Sequence, residues 1–467
     1  MKRWKCTVCG RIFEGEEPPV PCPVCKAGRE AFVELPQAAP QRWKCTVCGK
    51  IFEGEEPPVP CPVCKAGREA FQKIEEQAAY QNNTDHFYVI VGGGIAGVEA
   101  AKALRQRDAT ASITLVSAEA HFPYNRPTLS NVMAKGLSCD EIMLEQPNFY
   151  TEHKICLMTG ILAEEIDVPG KRVLLSGGQA LPYTKLLLDT GANSFNPIQY
   201  GPATVPVRVL RSFEDAAALA QLAKGKKVVL VGGGILGLEA AMALKELSCS
   251  ITVVEYAPRI LSLQADEELS ARLQAVLEQQ GIRVITGASV TAADASGAVL
   301  SDGTHLAANL VLASMGVRSE TGLAKAAGLQ IGRGIVVDQY MRTSQNHIWA
   351  AGDCAEFEGR VQATATAAAA MGQAAGAAMA GDQAQPYRPV TQATAFHCPG
   401  FALFSVGSVA AGETAVYKNE TTGAYRRLFL GKGRLIGALF EGANPGVRAV
   451  QAVEKNLPLA EALPLLG

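Results

Sequence analysis

The sequence predicts a multidomain chain: two copies of one small module, then an α/β region containing two similar strand–turn–helix units, then a small α+β C-terminal domain. Three observations carry this. The stretch CTVCGRIFEGEEPPVPCPVC, from Cys6 to Cys25, returns as CTVCGKIFEGEEPPVPCPVC from Cys45 to Cys64. Two apolar strands, in FYVIVGGGIAGVEAAKAL and KKVVLVGGGILGLEAAMAL, each run through a glycine turn into an Ala/Leu helical period. From about Gln385, short apolar segments such as FALFSVGSVA and RRLFLGKGRLIGALFE alternate with glycine and charged turns. With 467 residues and 48% hydrophobic composition, the chain can build a core for each such domain.

Residues 3–32 and 42–71 differ only where Arg11 becomes Lys50, a true internal repeat. Each copy is too small to fold on burial alone, and Trp4, Ile12, Phe13 and Phe32 can cover one face of a metal site at most. Cys6, Cys9, Cys22 and Cys25 form C-x2-C-x12-C-x2-C, repeated by Cys45, Cys48, Cys61 and Cys64; Gly10 and Pro23 suit the tight loops. Four thiolates mean zinc or iron, and their number alone does not choose. Eight of the thirteen cysteines lie in CxxC pairs, a metal pattern rather than a disulfide framework, so a reducing cytoplasm is expected. The segments LPQAAPQ and IEEQAAYQNNTD read as linkers.

CTVCG and CPVC, with an aromatic residue ahead of the first cysteine and FEGEEPP between the pairs, resemble the rubredoxin domain, particularly the short form found in rubrerythrins. The resemblance implies one iron per module, two per chain, on the two cysteine quartets, each iron carrying one electron. Lys26 and Lys65 follow the last cysteine of each quartet where the usual pattern has glycine, and a positive φ there would strain them.

Gly92, Gly94 and Gly97 form GxGxxG, as do Gly232, Gly234 and Gly237. Such glycines permit a tight turn, let the backbone approach a pyrophosphate and bring helix against strand, with the helix N-terminus facing the phosphates. In the second unit, the strand SITVVE ends on Glu255, placed to accept from a ribose 2′-hydroxyl and to repel a 2′-phosphate, which favours NADH over NADPH. In the first unit, SITLVSAE has Ser117 where an acidic residue usually stands and Glu119 two places later. Two dinucleotide folds ask for two nucleotides, and FAD with NADH is the natural pair. A net charge of -2 without one-sign blocks gives no reason to expect nucleic acid, and no apolar run is long enough to span a membrane or act as a signal peptide.

From Asp85 onward the order of segments resembles the flavin-dependent pyridine nucleotide oxidoreductases. LLLDTGANSF looks like the strand closing the FAD domain, with Thr190 and Gly191 at the return crossing, and LVLASMGVRSE looks like the exit from the NAD domain. HIWAAGDCAEF resembles the second FAD fingerprint. This implies that Asp353 hydrogen-bonds the ribityl chain and that a helix beginning near Gln362 ends against the flavin. HFPYNRPTLS resembles the loop over FAD in rubredoxin, ferredoxin and nitrite reductases; there Arg126 would pair with the pyrophosphate, Pro127 would stiffen the turn, and Ala163 would meet the adenine. The cysteines that disulfide, peroxide and CoA-disulfide reductases of this fold carry have no counterpart here. Cys139, Cys156, Cys249, Cys354 and Cys398 stand singly and read mostly as inert buried thiols, and no catalytic side chain is assigned, His397 beside Cys398 included.

The expected fold is therefore two metal-bound rubredoxin-like modules at 1–35 and 40–74, then an α/β flavoprotein with two dinucleotide-binding domains and a small α+β C-terminal domain. An FAD domain is expected at 85–205 and 318–384, an NAD domain at 206–317, and the C-terminal domain at 385–467. The expected function is that of an NADH:rubredoxin oxidoreductase fused to its acceptor. It would pass electrons on to a flavodiiron protein, a rubrerythrin or a superoxide reductase. The alternatives are an NADH oxidase or peroxidase with accessory modules, and zinc ribbons that bind a partner.

Overall fold

The computed structural model describes residues 2–466 apart from 7–11, 16, 25, 30–31, 36–41, 46–50, 55, 61, 63–67, 69–70, 75–81, 410–411, 419–423 and 443–444. Cys9, Cys25, Cys48, Cys61, Cys64, Gly10, Lys65 and most of both linkers lie outside the described residues, and Cys6 and Cys45 are described in their backbone alone. The chain divides into two compact units, Met1–Gln77 with Gly446–Arg448, and Ala78–Pro445 with Ala449–Gly467.

In the first unit, β1 (Lys2–Cys6), β2 (Ile12–Gly15) and β3 (Phe32–Leu35) form an antiparallel sheet in the order β2-β1-β3. The same sheet recurs in β4 (Arg42–Cys45), β5 (Ile51–Glu53) and β6 (Phe71–Ile74), in the order β5-β4-β6. Register repeats with it: Trp4 faces Phe13 and Cys6 faces Phe32, as Trp43 faces Phe52 and Cys45 faces Phe71. Phe13 and Phe32 meet edge to face at 5.9 Å, and so do Phe52 and Phe71. Cys22 is fully buried, with Phe32, Trp4, Phe13 and Ala27 in the same small cluster. Lys26 does adopt a left-handed φ of 62°; its N–H donates to Cys22 O at 2.9 Å, and the Cys22 N–H donates to Ala27 O at 2.9 Å.

In the second unit, β7 (Phe87–Val91), α1 (Ile95–Arg107), β8 (Ser112–Ser117), β9 (Ile155–Thr159), β10 (Lys185–Leu188) and a late strand make one parallel sheet. A second parallel sheet holds β11 (Val207–Val209), β12 (Lys227–Val231), β13 (Ser250–Glu255), β14 (Arg283–Thr286) and β15 (Leu310–Ala313) in the order β11-β15-β12-β13-β14. With it go the helices α2 (Phe213–Ala223), α3 (Ile235–Glu246) and α4 (Glu267–Gln279). The late strand of the first sheet is β16 (Ile348–Ala350), giving the order β16-β10-β7-β8-β9. The central strands are apolar throughout because both faces of such a sheet are covered.

Helix α5 (Ala365–Met379) starts three residues later than the Gln362 expected, capped by Thr364. The Gln362 carboxamide instead ties down Val390 and Tyr387. Its glycines set a close crossing with α1: a Cβ on Gly372 would lie 2.2 Å from Ala96 O, and one on Gly376 2.5 Å from Ala100 O.

The C-terminal sheet is antiparallel, with β17 (Ala393–Cys398), β18 (Phe401–Gly407), β19 (Glu413–Lys418), β20 (Tyr425–Gly431) and β21 (Arg434–Glu441) in the order β17-β18-β21-β20-β19. Alternate residues serve two cores. Leu403, Tyr425 and Leu439 join α3 and α4, whereas Phe404, Leu428 and Phe440 join Ala449, Ala452 and Ala462 of the terminal helices. The same alternation buries Cys398 while exposing His397, so the two do not form a pair. Asp266, which caps α4, accepts from Tyr425 at 2.6 Å and Arg427 at 3.0 Å and so ties this sheet to the second nucleotide-type domain. No helix among the described residues is long and apolar enough to cross a membrane.

Gly372→Ala should cost about 1–3 kcal/mol by forcing α1 and α5 apart. Gly201→Ala, where a methyl meets open space, should stay within about 0.5 kcal/mol, both read by denaturant unfolding of the full chain.

Candidate nucleotide sites

Each parallel sheet delivers a glycine loop at the C-terminal end of its central strand, where open α/β sheets bind ligands. Gly92 has φ 124° and Gly232 has φ 115°, and a Cβ on either would collide with the backbone of the neighbouring strand's exit, 1.8 Å from Asp189 O and 2.1 Å from Ser314 O. A Cβ on Gly97 would lie 2.4 Å from Gly92 O, and one on Gly237 2.1 Å from Gly232 O. No larger residue allows helix and strand to approach so closely.

The helices that follow begin at Gly94 and Gly234, neither of which makes a side-chain capping bond. By contrast, α2, α4 and α5 are closed by Ser212, Asp266 and Thr364. Amides at a helix start without its own capping side chain want an acceptor; Asp189 supplies one for Gly97 N in α1, and a diphosphate fits the need of the others. These two loops are thus shaped for dinucleotides.

At the second loop, Glu255 stands at the end of β13. Its carboxylate accepts from Gly233 N at 2.5 Å and Ala257 N at 2.7 Å. This fixes it beside the loop with lone pairs left for a hydroxyl. At the first loop the corresponding place holds Ser117, whose Oγ would lie 2.8 Å from a Cβ on Gly93. Glu119 is turned instead toward Tyr124, which donates to it at 2.5 Å, and toward Arg126, with which it forms an ion pair.

Arg126 begins the short 3-10 turn Arg126–Thr128, with Pro127 in its first positions. Its guanidinium also donates to Tyr124 Oη and Arg211 O, both at 3.0 Å. Thr190 donates to Glu320 O at 2.7 Å, and Gly191 has φ 71° and accepts from Glu320 N, so both belong to the strand crossing. Asp353, in the turn Gly352–Cys354, receives Arg211 at 3.1 Å, and its carbonyl accepts from Ser319 at 2.7 Å. Ala163 opens the strand Ala163–Asp167, paired with Leu175.

Two residues emerge at the first loop that sequence reading did not single out. Arg211, just beyond β11, joins Asp353 to Ala192 O and to the loop carrying Arg126. Asp189 lies under the loop, only 7% exposed, and accepts from Gly97 N at 2.7 Å. Arg211 stands in no recognised motif, and Asp189, though inside LLLDTGANSF, sits just ahead of the Thr190 and Gly191 that the resemblance marks. On α3, Glu239 is half-buried, and burial raises its carboxyl above the ordinary range. Cys139, Cys354 and Cys398 are buried, as expected of inert thiols, but Cys156 is exposed.

Two glycine loops of the shape that receives a dinucleotide, in one chain, define the class: a protein with two nucleotide-type α/β domains. The model of the pyridine nucleotide-disulphide oxidoreductases matches residues 86–374, and the chain belongs to that family. Helix α1 carries no cysteine. The model of the rubrerythrin, rubredoxin-like domain matches residues 4–33 and 43–72, so the N-terminal modules are rubredoxin-like domains.

The chain is 30% identical to a nitrite reductase [NAD(P)H] of Bacillus subtilis over 80% of its own length and 48% of that protein, about half of the relative. It is 33% identical to a nitric oxide reductase FlRd-NAD(+) reductase of Vibrio vulnificus over 58% of this chain and 73% of that one. Among solved structures, an NADH:rubredoxin oxidoreductase from Clostridium acetobutylicum superposes with a TM-score of 0.68 at 25% identity, covering 82% of this chain and 99% of that one.

Glu255 predicts nucleotide choice. kcat/KM should be higher for NADH than for NADPH, and Glu255→Ala should narrow the gap; a preference for NADPH in the unaltered protein would overturn the assignment.

Proposed function

We propose that the chain is an NADH:rubredoxin oxidoreductase that carries its acceptor in duplicate. The observation that supports this reading best is the joining, in one polypeptide, of two rubredoxin-like domains to an oxidoreductase with two dinucleotide loops. In this reading residues 85–205 and 318–384 bind FAD, residues 206–317 bind NADH, and residues 1–35 and 40–74 each hold one iron. Residues 385–467 form the C-terminal domain.

The FAD contacts assigned are Gly92, Gly94, Gly97, Glu119, Arg126, Ala163, Thr190, Gly191 and Asp353, with Pro127 setting the turn that presents Arg126. NADH is assigned to Gly232, Gly234, Gly237 and Glu255. Iron is assigned to Cys6, Cys9, Cys22, Cys25 and to Cys45, Cys48, Cys61, Cys64. When bound, FAD takes a hydride and can release the pair singly, which a four-thiolate iron needs because it takes one electron.

The chain's own residues shape where this happens. Tyr124 accepts from Phe213 N at 3.0 Å, and His121 pairs with Glu214 at 3.0 Å, so the loop after β8 is bonded to the start of α2 and holds the two nucleotide domains together. The Cys22 thiolate is shielded by Phe32 and Trp4, and backbone N–H groups at positions 22 and 26 are drawn into the ligand loop. Both features suit a metal thiolate kept away from water. Beyond the chain, the electrons would go on to an external acceptor such as a flavodiiron protein, a rubrerythrin or a superoxide reductase.

The test is anaerobic rapid mixing of the full chain with NADH. Loss of flavin absorbance should come first and loss of ferric colour second, with two electrons taken by the flavin and one by each iron. Dithionite serves as the control for complete reduction. Cys22→Ser should halve the iron and leave the flavin bound, since each module folds around its own metal. Consumption of NADH with the iron still ferric would replace this reading with that of an NADH oxidase.

A further inference from the structure

The two glycine loops of this chain are close copies, so a difference beneath them is informative. Under the second loop stands Ser314, and a Cβ on Gly234 would meet nothing within 4 Å. Under the first stands Asp189, whose carboxyl would lie 2.7 Å from a Cβ on Gly94, 3.1 Å from one on Gly97 and 2.6 Å from one on Gly352. One buried carboxyl thus occupies the space enclosed by three glycines, directly below the amides that start α1. Its Oδ2 accepts from Gly97 N at 2.7 Å.

The charges around it are nearly balanced before any ligand arrives. From the loop after β8, Arg126 faces it, already paired with Glu119. From the Gly352–Cys354 turn come Asp353, paired with Arg211 at 3.1 Å, and the Cys354 thiol, which burial and the nearby Asp189 push up to about 12 and so keep neutral. Asp189 is the third carboxyl against two guanidinium groups. Burial pushes it up to about 8; the Gly97 and Gly94 amides and Arg126 oppose that shift, and Asp353 adds to it.

An ionised Asp189 would place a negative charge at the helix start where a diphosphate must settle. A neutral one offers an O–H donor to a phosphate oxygen while its other oxygen still accepts from Gly97.

We propose that Asp189 receives the FAD diphosphate as a neutral acid, so that this chain's hold on its flavin is coupled to one proton and weakens as pH rises. The inference rests on the reading that the loop at 92–97 binds FAD. Asp189 is in this account a positioning residue: it takes no part in electron transfer, and its proton stays on the carboxyl in the complex. The sign follows from linkage. The complex holds a proton that the free protein loses above the carboxyl's own pKa, so affinity is full below that pH and falls above it.

The experiment strips FAD from the full-length protein and titrates it back between pH 6 and pH 9, following flavin fluorescence, for the unaltered chain, Asp189→Asn and Asp189→Ser. The Kd of the unaltered chain should rise by about tenfold per pH unit at the alkaline end, while both variants stay flat. Calorimetry of the unaltered chain in two buffers of different ionisation enthalpy should show close to one proton taken up with FAD at the alkaline end, a readout that does not depend on any variant folding. A flat profile for the unaltered chain, or no proton uptake, overturns the role of Asp189 while leaving the loop as the FAD site. A folded protein that takes up no FAD at any pH overturns the loop assignment as well.

Discussion

Everything in the nucleotide-binding part of this chain depends on a contact that only a missing side chain permits. A Cβ on Gly97 would lie 2.4 Å from Gly92 O, and one on Gly237 2.1 Å from Gly232 O. Because nothing stands in these places, each helix begins almost on top of the strand it follows; neither starting glycine offers a capping side chain, and in the first turn of α1 it is Asp189, from another strand, that accepts from Gly97 N. The same economy is used again further along, where Gly372 and Gly376 let α5 lie against α1. This crossing carries the chain from the Gly352–Cys354 turn back across the first helix, so the second half of the first site is positioned by the packing of the first half.

On this shared frame the two sites diverge through side chains at matching places. The end of the second strand bears Glu255 in one unit, bonded to Gly233 and Ala257, and Ser117 in the other. Beneath the loop one unit has Ser314 and the other Asp189. The first unit moves its acidic residue to Glu119 and ties it to Arg126 and Tyr124, and these in turn reach Arg211 and Phe213 at the entrance of the second unit. The first site is thus also a joint between domains, which the second is not required to be.

What the sequence made legible were features tied to a local pattern. The glycine turns could be read because their residues are neighbours in the chain and meet as neighbours in the structure, and Glu255 because it closes an apolar strand, although the Gly233 amide it accepts from lies 22 residues away. The left-handed backbone at Lys26 was legible in the same way, from its place just after the last cysteine of its quartet. Helix α5 starts three residues beyond Gln362, whose side chain bonds Val390 and Tyr387, partners that no local pattern announces. Arg211 and Asp189 were missed because no local pattern announces their partners either: Arg211 meets Asp353, and Asp189 meets Gly97, across long separations in the chain.

Asp189 shows why such residues escape a reading by composition. At the end of LLLDTGAN an aspartate reads as the polar residue that stops an apolar strand, a place where exposure is the rule. Here the strand ends inside the molecule, under the loop and against the Gly352 turn, and the carboxyl is buried with it. A charged group so placed must be answered by a cation, by hydrogen bonds or by a proton. The nearby cations are paired elsewhere, Arg126 with Glu119 and Arg211 with Asp353. A few amides remain, and those same amides are the ones a diphosphate would use. With a diphosphate bound, the fold would set two anions in competition for one helix start, and a proton on the smaller of them would relieve it.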